Sequence, residues 1–407
     1  MAIKAGRILH IANNFVVDRI QTGGPGNLNI PQERVYEVGN YQTVGIVRDT
    51  PELTFSLDSY NVDTEVEGLL TGSADPTADV AGTKYDLAVT KSFDVVSHFK
   101  SPDGAFAGVK GVAIPALTLE SASYRFGMKE NAGQQFSLRG DSLFYVPGTP
   151  YRQVFTGDGT ENEFTLTNTA LKYVSGAANV YALSVTVDGK RLTFGDDYTN
   201  TATMVTLADP PANGAKVVVV YGSATGATFN QSVHQGTSVK PAAIRGRDID
   251  VYFSTDPGGG PVEVRWDGVQ SANVDWRVSL EEDWEFGNKY AVTRDYTDVP
   301  EVSGSVEIRP YDLDSLFTRL RQITGVASSD VIGPDSVITG ALRIVLRNPE
   351  SGGSTGAAAG TVLKTLYVPA AEFTLPGYEA RVQQKFNLTM NFTSKDGVLE
   401  VYKGAKP

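Results

Sequence analysis

The sequence predicts a mainly β protein in which two similar long segments flank a smaller β-sandwich. Three observations lead to this fold class. With 42 glycines, 20 prolines, 18 tyrosines and 18 phenylalanines in 407 residues, the composition is typical of short strands joined by turns. Apolar and polar residues alternate in several stretches. Short sequence matches recur in the same order about 249 residues apart.

The strands are predicted from the alternation that places every second side chain on a buried face. Residues 53–57 (LTFSL), 183–187 (LSVTV) and 386–392 (FNLTMNF) show it. The run VVVVY at 217–221 is apolar at every position, which indicates a strand buried on both faces. Most of the fold is therefore expected to be antiparallel sheet.

Each long segment is predicted to carry one helix. Residues 312–320 open with Asp312, which can cap a helix, and four apolar residues follow at the spacing of one helical face. These four are Leu313, Leu316, Phe317 and Leu320. This stripe is expected to seal one side of the second segment. The apolar side of a shorter helix, predicted over residues 63–70, consists of Val62, Val66, Leu69 and Leu70.

The two long segments match each other in a constant order. YEVGN at 36–40 matches WEFGN at 284–288 at an offset of 248, and the strand that begins PEL at 51 matches the one that begins PEV at 300 at an offset of 249. The positions that define the repeat are Tyr36, Gly39, Asn40, Pro51 and Glu52 in the first segment, and Trp284, Gly287, Asn288, Pro300 and Glu301 in the second. Weaker matches link Ile20-Gln21 with Val269-Gln270, Pro115-Ala116 with Pro369-Ala370, and Gln134-Gln135 with Gln383-Gln384.

This repeat divides the chain into a first domain over 1–150 and a second over 238–407, each expected to be a β-barrel or sandwich with one flanking helix. Between them, residues 151–222 are expected to form a small immunoglobulin-like β-sandwich, because short strands and turns recur there every 8–12 residues or so. Asp188-Gly189 predicts a two-residue hairpin within it. Residues 223–237, rich in Gly, Ala, Ser and Thr, are predicted to be a linker.

Charge and composition exclude several classes of protein. The formal net charge is −12 and there is no basic block, so a tight grip on nucleic-acid phosphates is not expected. The absence of cysteine excludes disulfides, zinc ribbons and thiol nucleophiles. The longest apolar runs fall short of the ~18 residues of a membrane span. No secretory signal is predicted, so the expected setting is a reducing cytoplasm or a particle assembled there.

No constellation of residues points to catalysis, so the chain is predicted not to be an enzyme and no catalytic, cofactor or metal ligand is assigned. His10, His98 and His234 lie too far apart in sequence to favour a histidine metal site, and His98 is interpreted as a strand residue. SGGSTG at 351–356 lacks the Gly-Lys-Ser/Thr end of a phosphate-binding loop. The acids at 281–283 are interpreted as a solvated face. Asp158 and Asp196-Asp197 are interpreted as turn caps rather than calcium ligands.

YEVGN at 36–40, the strand at 51–57 and the acidic helix start that follows resemble the tail tube (major tail) proteins of long-tailed bacteriophages. The resemblance covers both long segments, and the middle segment resembles the small β-sandwich modules appended to phage structural proteins. The family implies one small β-barrel or sandwich with a flanking helix per chain, six of them in a ring, and stacked rings that conduct DNA. This chain departs from the family by carrying two such domains, so a homotrimeric, pseudo-hexameric ring is expected.

The resemblance also implies the partners and the location. The chain is expected to bind copies of itself within and between rings, and to meet tape-measure and tail-terminator or tip proteins. DNA is expected to pass through without specific binding, and neither a membrane nor a cofactor is implied. The implied location is the virion tail, assembled in the host cytoplasm, with residues 151–222 outside the lumen. Candidate ring-to-ring contacts are 43–50, 71–82, 291–298 and 349–360.

Two other classes of protein stay open. A carbohydrate-binding β-sandwich protein of a virion or cell surface would present Trp and Tyr on exposed loops, and Trp266, Trp276 and Trp284 lie close together in sequence. A packing role for Trp276 and Trp284, between sheets or subunits, is the favoured interpretation. A hydrolase on a β scaffold would need a pocket with perturbed acids. Neither class needs two equivalent domains, so the duplication favours a tail tube.

Overall fold

A computed structural model gives the fold of most of the chain. The structure describes residues 8–12, 15–16, 20–26, 28–36, 43–48, 51–60, 62–73, 76, 78–89, 92–99, 110–175, 178–224, 243–254, 263–285, 290–310, 314, 317–318, 320–321, 330–333, 339–349, 360–374 and 387–407. The predicted linker at 223–237 lies almost wholly outside these residues.

The chain is mainly β, as predicted, and its paired strands are antiparallel. The first long segment contains β1 (Ile8–Ala12), β2 (Phe15–Val16), β3 (Ile20–Pro25), β4 (Gln32–Tyr36), β5 (Thr43–Arg48), β6 (Leu53–Ser59), β7 (Lys84–Asp86), β8 (Phe93–Phe99), β9 (Gly111–Gly127), β10 (Gly133–Gly140) and β11 (Phe144–Val146). The middle segment contains β12 (Thr149–Thr156), β13 (Glu163–Thr165), β14 (Tyr173–Ser175), β15 (Ala178–Val180), β16 (Ala182–Val187), β17 (Lys190–Arg191), β18 (Tyr198–Asn200), β19 (Met204–Leu207) and β20 (Lys216–Ser223). The second long segment contains β21 (Ile249–Ser254), β22 (Val264–Arg265), β23 (Val269–Arg277), β24 (Leu280–Asp283), β25 (Thr293–Tyr296), β26 (Glu301–Ile308), β27 (Thr339–Arg347), β28 (Val362–Phe373), β29 (Leu388–Ser394) and β30 (Glu400–Lys403).

The helix α1 (Glu65–Thr71) forms where the sequence predicts the shorter helix. The Asp63 carboxylate accepts a hydrogen bond from the backbone N–H of Glu65 at 3.1 Å, which satisfies one free donor of the first turn. Gly72 ends the helix with φ 92°, a left-handed conformation that glycine adopts without steric cost. Val66, Leu69 and Leu70 are buried, as the apolar spacing predicts.

One sheet runs through both long segments. Its strand order is β3-β6-β10-β9-β23-β26-β29-β28. The first four strands belong to the first segment and the last four to the second. They meet where β9 pairs with β23, for example with Ser123 opposite Asp275. The two segments are therefore joined by backbone hydrogen bonds into one eight-stranded sheet.

The strand register repeats between the two segments. Ile20 lies opposite Ser59 in β3 and β6, and Val269 lies opposite Ile308 in β23 and β26, an offset of 249 on both strands. Each pair of strands also has a bulge at the same place, directly after Ile20 and directly after Val269. The hairpin of β4 and β5 recurs in β24 and β25 at an offset of 248. The described pairings thus follow the sequence repeat residue by residue.

The long strands β9 and β28 each belong to two sheets. Their first halves pair with β8 and β27, respectively, and each contains a bulge of two residues. Pro115 and Ala116 form one bulge, and Pro369 and Ala370 form the other, so the predicted match between these pairs is a structural equivalence at an offset of 254. Proline suits this position because a bulge residue needs no ladder donor.

Each long segment is predicted to be a barrel or a sandwich, and the described strands form no closed barrel. Instead, two open outer sheets share β9 and β28 with the eight-stranded sheet. The first has the order β2-β1-β8-β9-β11, and the second has the order β22-β21-β27-β28-β30-β7. Among the described strands, β6 is the one that pairs with β3, so these pairings do not close on themselves.

The middle segment has a core of its own. A four-stranded sheet (β12-β20-β16-β17) and a three-stranded sheet (β13-β19-β18) contribute to a cluster that includes Val185, Val205 and Val219, each fully buried. The predicted hairpin is confirmed: Val187 pairs with Lys190 around Asp188 (φ 49°) and Gly189 (φ 89°). These angles are those of the turn that fits the twist of a two-residue hairpin. The predicted buried strand is confirmed in β20.

The two repeats place a phenylalanine on different strands of an equivalent pair. In the first segment, Phe55 of β6 lies opposite Leu138 of β10. At the corresponding pair, β26 has Gly304 and β29 has Phe392. A Cβ added to Gly304 would lie 2.6 Å from Cζ of Phe392 and 2.2 Å from the backbone oxygen of Asn273. The Phe392 ring therefore fills the space over a glycine backbone.

Replacing Gly304 by alanine is expected to lower the free energy of unfolding by about 1–3 kcal/mol, because the added methyl group must displace the Phe392 ring and the neighbouring strand. Denaturant unfolding followed by tryptophan fluorescence measures this change. Ser303→Ala, on the polar face of the same strand, is the matched control and is expected to change stability by less than about 0.5 kcal/mol. Equal stability of the two variants would contradict the close packing at Gly304.

The second predicted helix is only partly described, because residues 314, 317, 318, 320 and 321 are helical and Asp312, Leu313 and Leu316 lie outside the described residues. Leu320 packs against the main core. The prediction for Phe317 is wrong: its side chain is 45% exposed and does not seal its own segment. The physical reason is that helical spacing predicts an apolar face but not what covers it: α1 itself is contacted from the following segment, where Lys364 of β28 donates to Glu67.

The match of Gln134-Gln135 with residues 383–384 is also not a structural equivalence. The shared register of β6–β10 and β26–β29 relates Gln134 to Leu388 instead. Residues 383–384 themselves lie outside the described part of the chain.

Candidate functional site

The eight-stranded sheet has one buried face and one polar face. On the buried face, a row of directly opposed residues crosses five strands, and all five are almost completely buried. These are Leu57, Phe136, Ala122, Trp276 and Val302. The adjacent row on the other face crosses all eight strands and is polar at every position. It consists of Thr22, Asp58, Gln135, Ser123, Asp275, Ser303, Thr393 and Glu372.

The polar face carries hydroxyl and amide groups with a small excess of acids. The eight-strand row includes three carboxylates, Asp58, Asp275 and Glu372, and no cation. In the next row, Arg277 lies between Ser121 and Glu301. Arg125 donates to Asp58 at 3.0 Å, so this cation is engaged by a carboxylate of the same face. A surface of this kind offers phosphate groups no cluster of free cations.

The repeat positions fall into two structural groups. Pro51 with Glu52, and Pro300 with Glu301, lie where β6 and β26 begin, at equivalent places in the sheet. Tyr36 and Trp284 lie at equivalent places on the hairpins β4–β5 and β24–β25, Tyr36 as the last residue of β4 and Trp284 directly after β24. Trp284 is 36% exposed. Gly39, Asn40, Gly287 and Asn288 lie outside the described residues. The structure therefore does not gather the repeat positions into a single site.

Three parts of the chain meet at one buried carboxylate, which we call the Asp141 joint. Asp141 follows β10, is fully buried, and accepts from Arg191 Nη1 of the middle segment at 2.7 Å. Its other oxygen accepts from Arg294 Nη2 of the second long segment at 2.7 Å and from the backbone N–H of Ala291 at 3.0 Å. Arg294 also donates to Glu282 at 2.9 Å. Two buried cations are thus neutralised by two carboxylates.

Glu282 belongs to the acidic run predicted to be a solvated face. That prediction is wrong for Glu282, which reaches into the Asp141 joint, whereas Glu281 and Asp283 are exposed as predicted. Alternation on β24 explains the difference, because the middle residue of the three points to the opposite side from its neighbours. Sequence reasoning missed Asp141, Arg191 and Arg294 altogether, since none belongs to a motif.

Apolar contacts fasten the middle segment beside the Asp141 joint. A separate buried cluster combines Val96, Phe144 and Val146 of the first segment with Val220 of the middle segment. The Phe144 and Tyr173 rings meet edge to face with centroids 5.4 Å apart. The middle segment is therefore firmly docked on the first long segment.

A second buried ion pair joins the two long segments. Lys364 of β28 donates to Glu67 of α1, and also to Gln134 Oε1 of β10 at 2.9 Å. Tyr124 of β9 donates to the same Glu67 oxygen at 2.8 Å. Burial lowers the pKa of Lys364 although Glu67 opposes the shift, and burial together with Glu67 raises the pKa of Tyr124 well above its ordinary value.

Among the described residues, the pockets contain no group of side chains arranged for catalysis. A pocket of about 460 Å³ lies beside the Asp141 joint, and the arginines lining it are already engaged by carboxylates. Arg152, for example, donates to Asp94 at 2.8 Å. Across the described part of the chain, His, Asp and Glu form no group of three that could hold a metal ion. Trp266 and Trp276 are buried, so neither offers a stacking platform for a sugar.

Comparisons with known proteins give no family for this chain. No family model matches it, and a search of curated proteins found no match. No helix in the described residues has the length and apolar character needed to cross a membrane.

Proposed function

We propose that the chain is a tail tube protein of a long-tailed bacteriophage, with a duplicated tube domain and a β-sandwich module between the copies. Three chains would form a pseudo-hexameric ring, and stacked rings would form the conduit for the genome. The supporting observation is the polar face that continues without interruption from the first repeat into the second across the β9–β23 pairing.

Edge-to-edge continuity supports a ring. The chain joins its own two repeats through β9 and β23, and β3 occupies in the first repeat the place of β23 in the second. Among the described strands, β6 is the one that pairs with β3. An exposed strand edge is a template for pairing with another chain, so a second copy can extend the sheet at β3 in the same way. A head-to-tail contact of this kind closes into a ring when its rotation permits.

The chemistry of the polar face supports a channel wall. A lumen that conducts DNA must not retain it, and hydroxyls with a slight excess of carboxylates provide no counter-charge for phosphates. The location in the virion tail, the assembly in the host cytoplasm, and the tape-measure, terminator and tip partners follow from the same proposal. The buried state of Trp266 and Trp276 weighs against the carbohydrate-binding alternative.

Imaging of the purified chain tests the ring. We expect rings or tubes which, averaged down the axis, show six similar inner sheets and three outer projections, one for each middle segment. The ring is expected to have the mass of three chains, because two repeats per chain supply six units from three. Dispersed monomers under tube-forming conditions would contradict the proposed function. Six equal projections, or six full-length chains per ring, would contradict the fused-repeat arrangement alone.

A further inference from the structure

The structure contains a strand contact between the two repeats that has no counterpart among the described residues. Strand β7 leaves the first segment and pairs with β30 of the second, with Tyr85 opposite Val401. Both side chains are buried. Lys84 adds an ion pair to Glu400 at 2.6 Å. The outer sheet of the second repeat is therefore completed by a strand from the first.

In the first repeat, β11 takes the place of β30. It pairs with β9 at Val112 and Ala113 as β30 pairs with β28 at Leu366 and Tyr367, which relates Tyr145 to Val401. Within the described residues, however, no strand pairs with the other edge of β11. Tyr145 is 76% exposed, whereas Val401 is fully buried. The first repeat thus presents an edge that the second repeat has covered.

The counterpart of β7 lies at residues 331–333. The pairings of β8 with β9 and of β27 with β28 agree, including the bulge, when β8 is related to β27 at an offset of 247 and β9 to β28 at an offset of 254. The offset of 247 carries Lys84–Asp86 to 331–333, the sequence Val-Ile-Gly. Val331 is 90% exposed, although its sequence neighbour is also apolar. The apolar side chain of Val331 is therefore left on the surface of a single chain, and Ile332 beside it is half-buried.

The groove beside β11 has matching chemistry. A pocket of about 250 Å³ is lined by β11 and its flanks together with apolar side chains that include Leu28, Ile30 and Leu143. A strand bearing Val331 and Ile332 suits such a groove, because main-chain hydrogen bonds hold the strand while apolar pockets take its side chains.

The buried ion pair between Lys364 and Glu67 also has counterparts in the other repeat. The counterpart of the buried Lys364 is Lys110, which is exposed. Glu67, the partner of Lys364, precedes Lys84 by 17 residues, and Asp314 precedes Val331 by the same number. Asp314 is also exposed. A cation and a carboxylate thus occupy the places of a buried ion pair, and both are exposed in a single chain.

We propose that residues 331–333 of a second copy of this chain pair with the free edge of β11, with Ile332 opposite Tyr145 and Asp314 beside Lys110. The proposal rests on the proposed function, since it describes the seam between neighbouring chains of a ring. It adds a contact on the outer sheet to the contact at β3.

Disulfide cross-linking tests the seam in the full chain, which contains no cysteine. Tyr145→Cys and Ile332→Cys are placed on separate chains, one of them tagged, and the mixture is assembled, oxidised and run on a non-reducing gel. Opposed strand residues are close enough for a disulfide. Tyr85→Cys with Val401→Cys in one chain is the positive control, and Tyr145→Cys mixed with Val299→Cys, at an exposed residue, is the negative control.

We expect about tenfold more product joining the two chains from the Tyr145 and Ile332 pair than from the Val299 control. Rings that form from the cysteine variants without this product would overturn the seam and leave the proposed function standing. If wild-type chains form neither rings nor larger assemblies, the proposed function fails and the seam with it.

If the cysteine variants do not assemble but the wild type does, charge-reversal variants test the same contact. Lys110→Glu and Asp314→Lys are each expected to reduce the fraction of assembled chains severalfold, and the double variant is expected to restore it. Lys129→Glu, at another exposed lysine, is the matched control. Loss of assembly in the double variant equal to that in the single variants would overturn the pairing.

Discussion

Replacing Asp141 by alanine is expected to lower the free energy of unfolding by about 3–5 kcal/mol, because the change leaves buried cations without their carboxylate. Arg191 loses its only ion-pair partner in the Asp141 joint, whereas Arg294 keeps Glu282. The backbone N–H of Ala291 also loses its acceptor. Denaturant unfolding followed by tryptophan fluorescence measures the loss.

Two further variants separate charge from packing at this position. Asp141→Asn retains an acceptor for the Ala291 N–H and is expected to fall between the wild type and Asp141→Ala. Asp196→Ala removes an exposed acid from the middle segment and is expected to change stability by less than about 0.5 kcal/mol. If Asp141→Ala unfolds at the same denaturant concentration as Asp196→Ala, the three-way ion pair does not hold the segments together.

Replacing Lys364 by methionine is expected to cost about 3–5 kcal/mol, because the Glu67 carboxylate then remains buried without its cation. Methionine keeps the length of the side chain, so little packing is lost. Glu67→Leu alone is expected to cost a similar amount, since it leaves the buried Lys364 ammonium without its counter-charge and the Tyr124 hydroxyl without its acceptor. Unfolding of the two single variants and the double variant forms a double-mutant cycle.

The double variant is expected to recover most of that stability. Burial lowers the pKa of Lys364 despite the nearby carboxylate, which means that the loss of hydration exceeds the attraction between the charges. Removing both charges together removes this cost. A double variant with the summed loss of the two single variants would show that Glu67 and Lys364 act independently.

The strands and their repeat could be predicted because they depend on local sequence patterns. The alternation in 53–57 and 386–392 places every second side chain on the buried face, and strands are found there from Leu53 and from Leu388. The two-residue turn at Asp188-Gly189 depends only on its own backbone. Pro115-Ala116 and Pro369-Ala370 were recognisable for the same reason: a bulge selects residues that need no ladder partner.

The joints between segments could not be predicted from local patterns. Asp141, Arg191 and Arg294 meet across as many as 153 residues, and nothing in their neighbours indicates a partner. Helical periodicity assigned Phe317 to an apolar face but gave no information about which segment covers that face. Identical Gln-Gln pairs suggested an equivalence that the strand register does not follow, because the loops between the repeats' strands differ in length.

The matched bulges after Ile20 and Val269 determine more than local pairing. A bulge bends its strand and increases the local twist, so identical bulges give both repeats the same curvature. In the proposed ring, equal curvature would let one rotation relate each repeat to the next, whether the next repeat belongs to the same chain or to its neighbour. Removing the bulge from one repeat alone would make alternate rotations unequal. If the rotation from chain to chain no longer closed, the chains would assemble into an open helical filament rather than a flat ring.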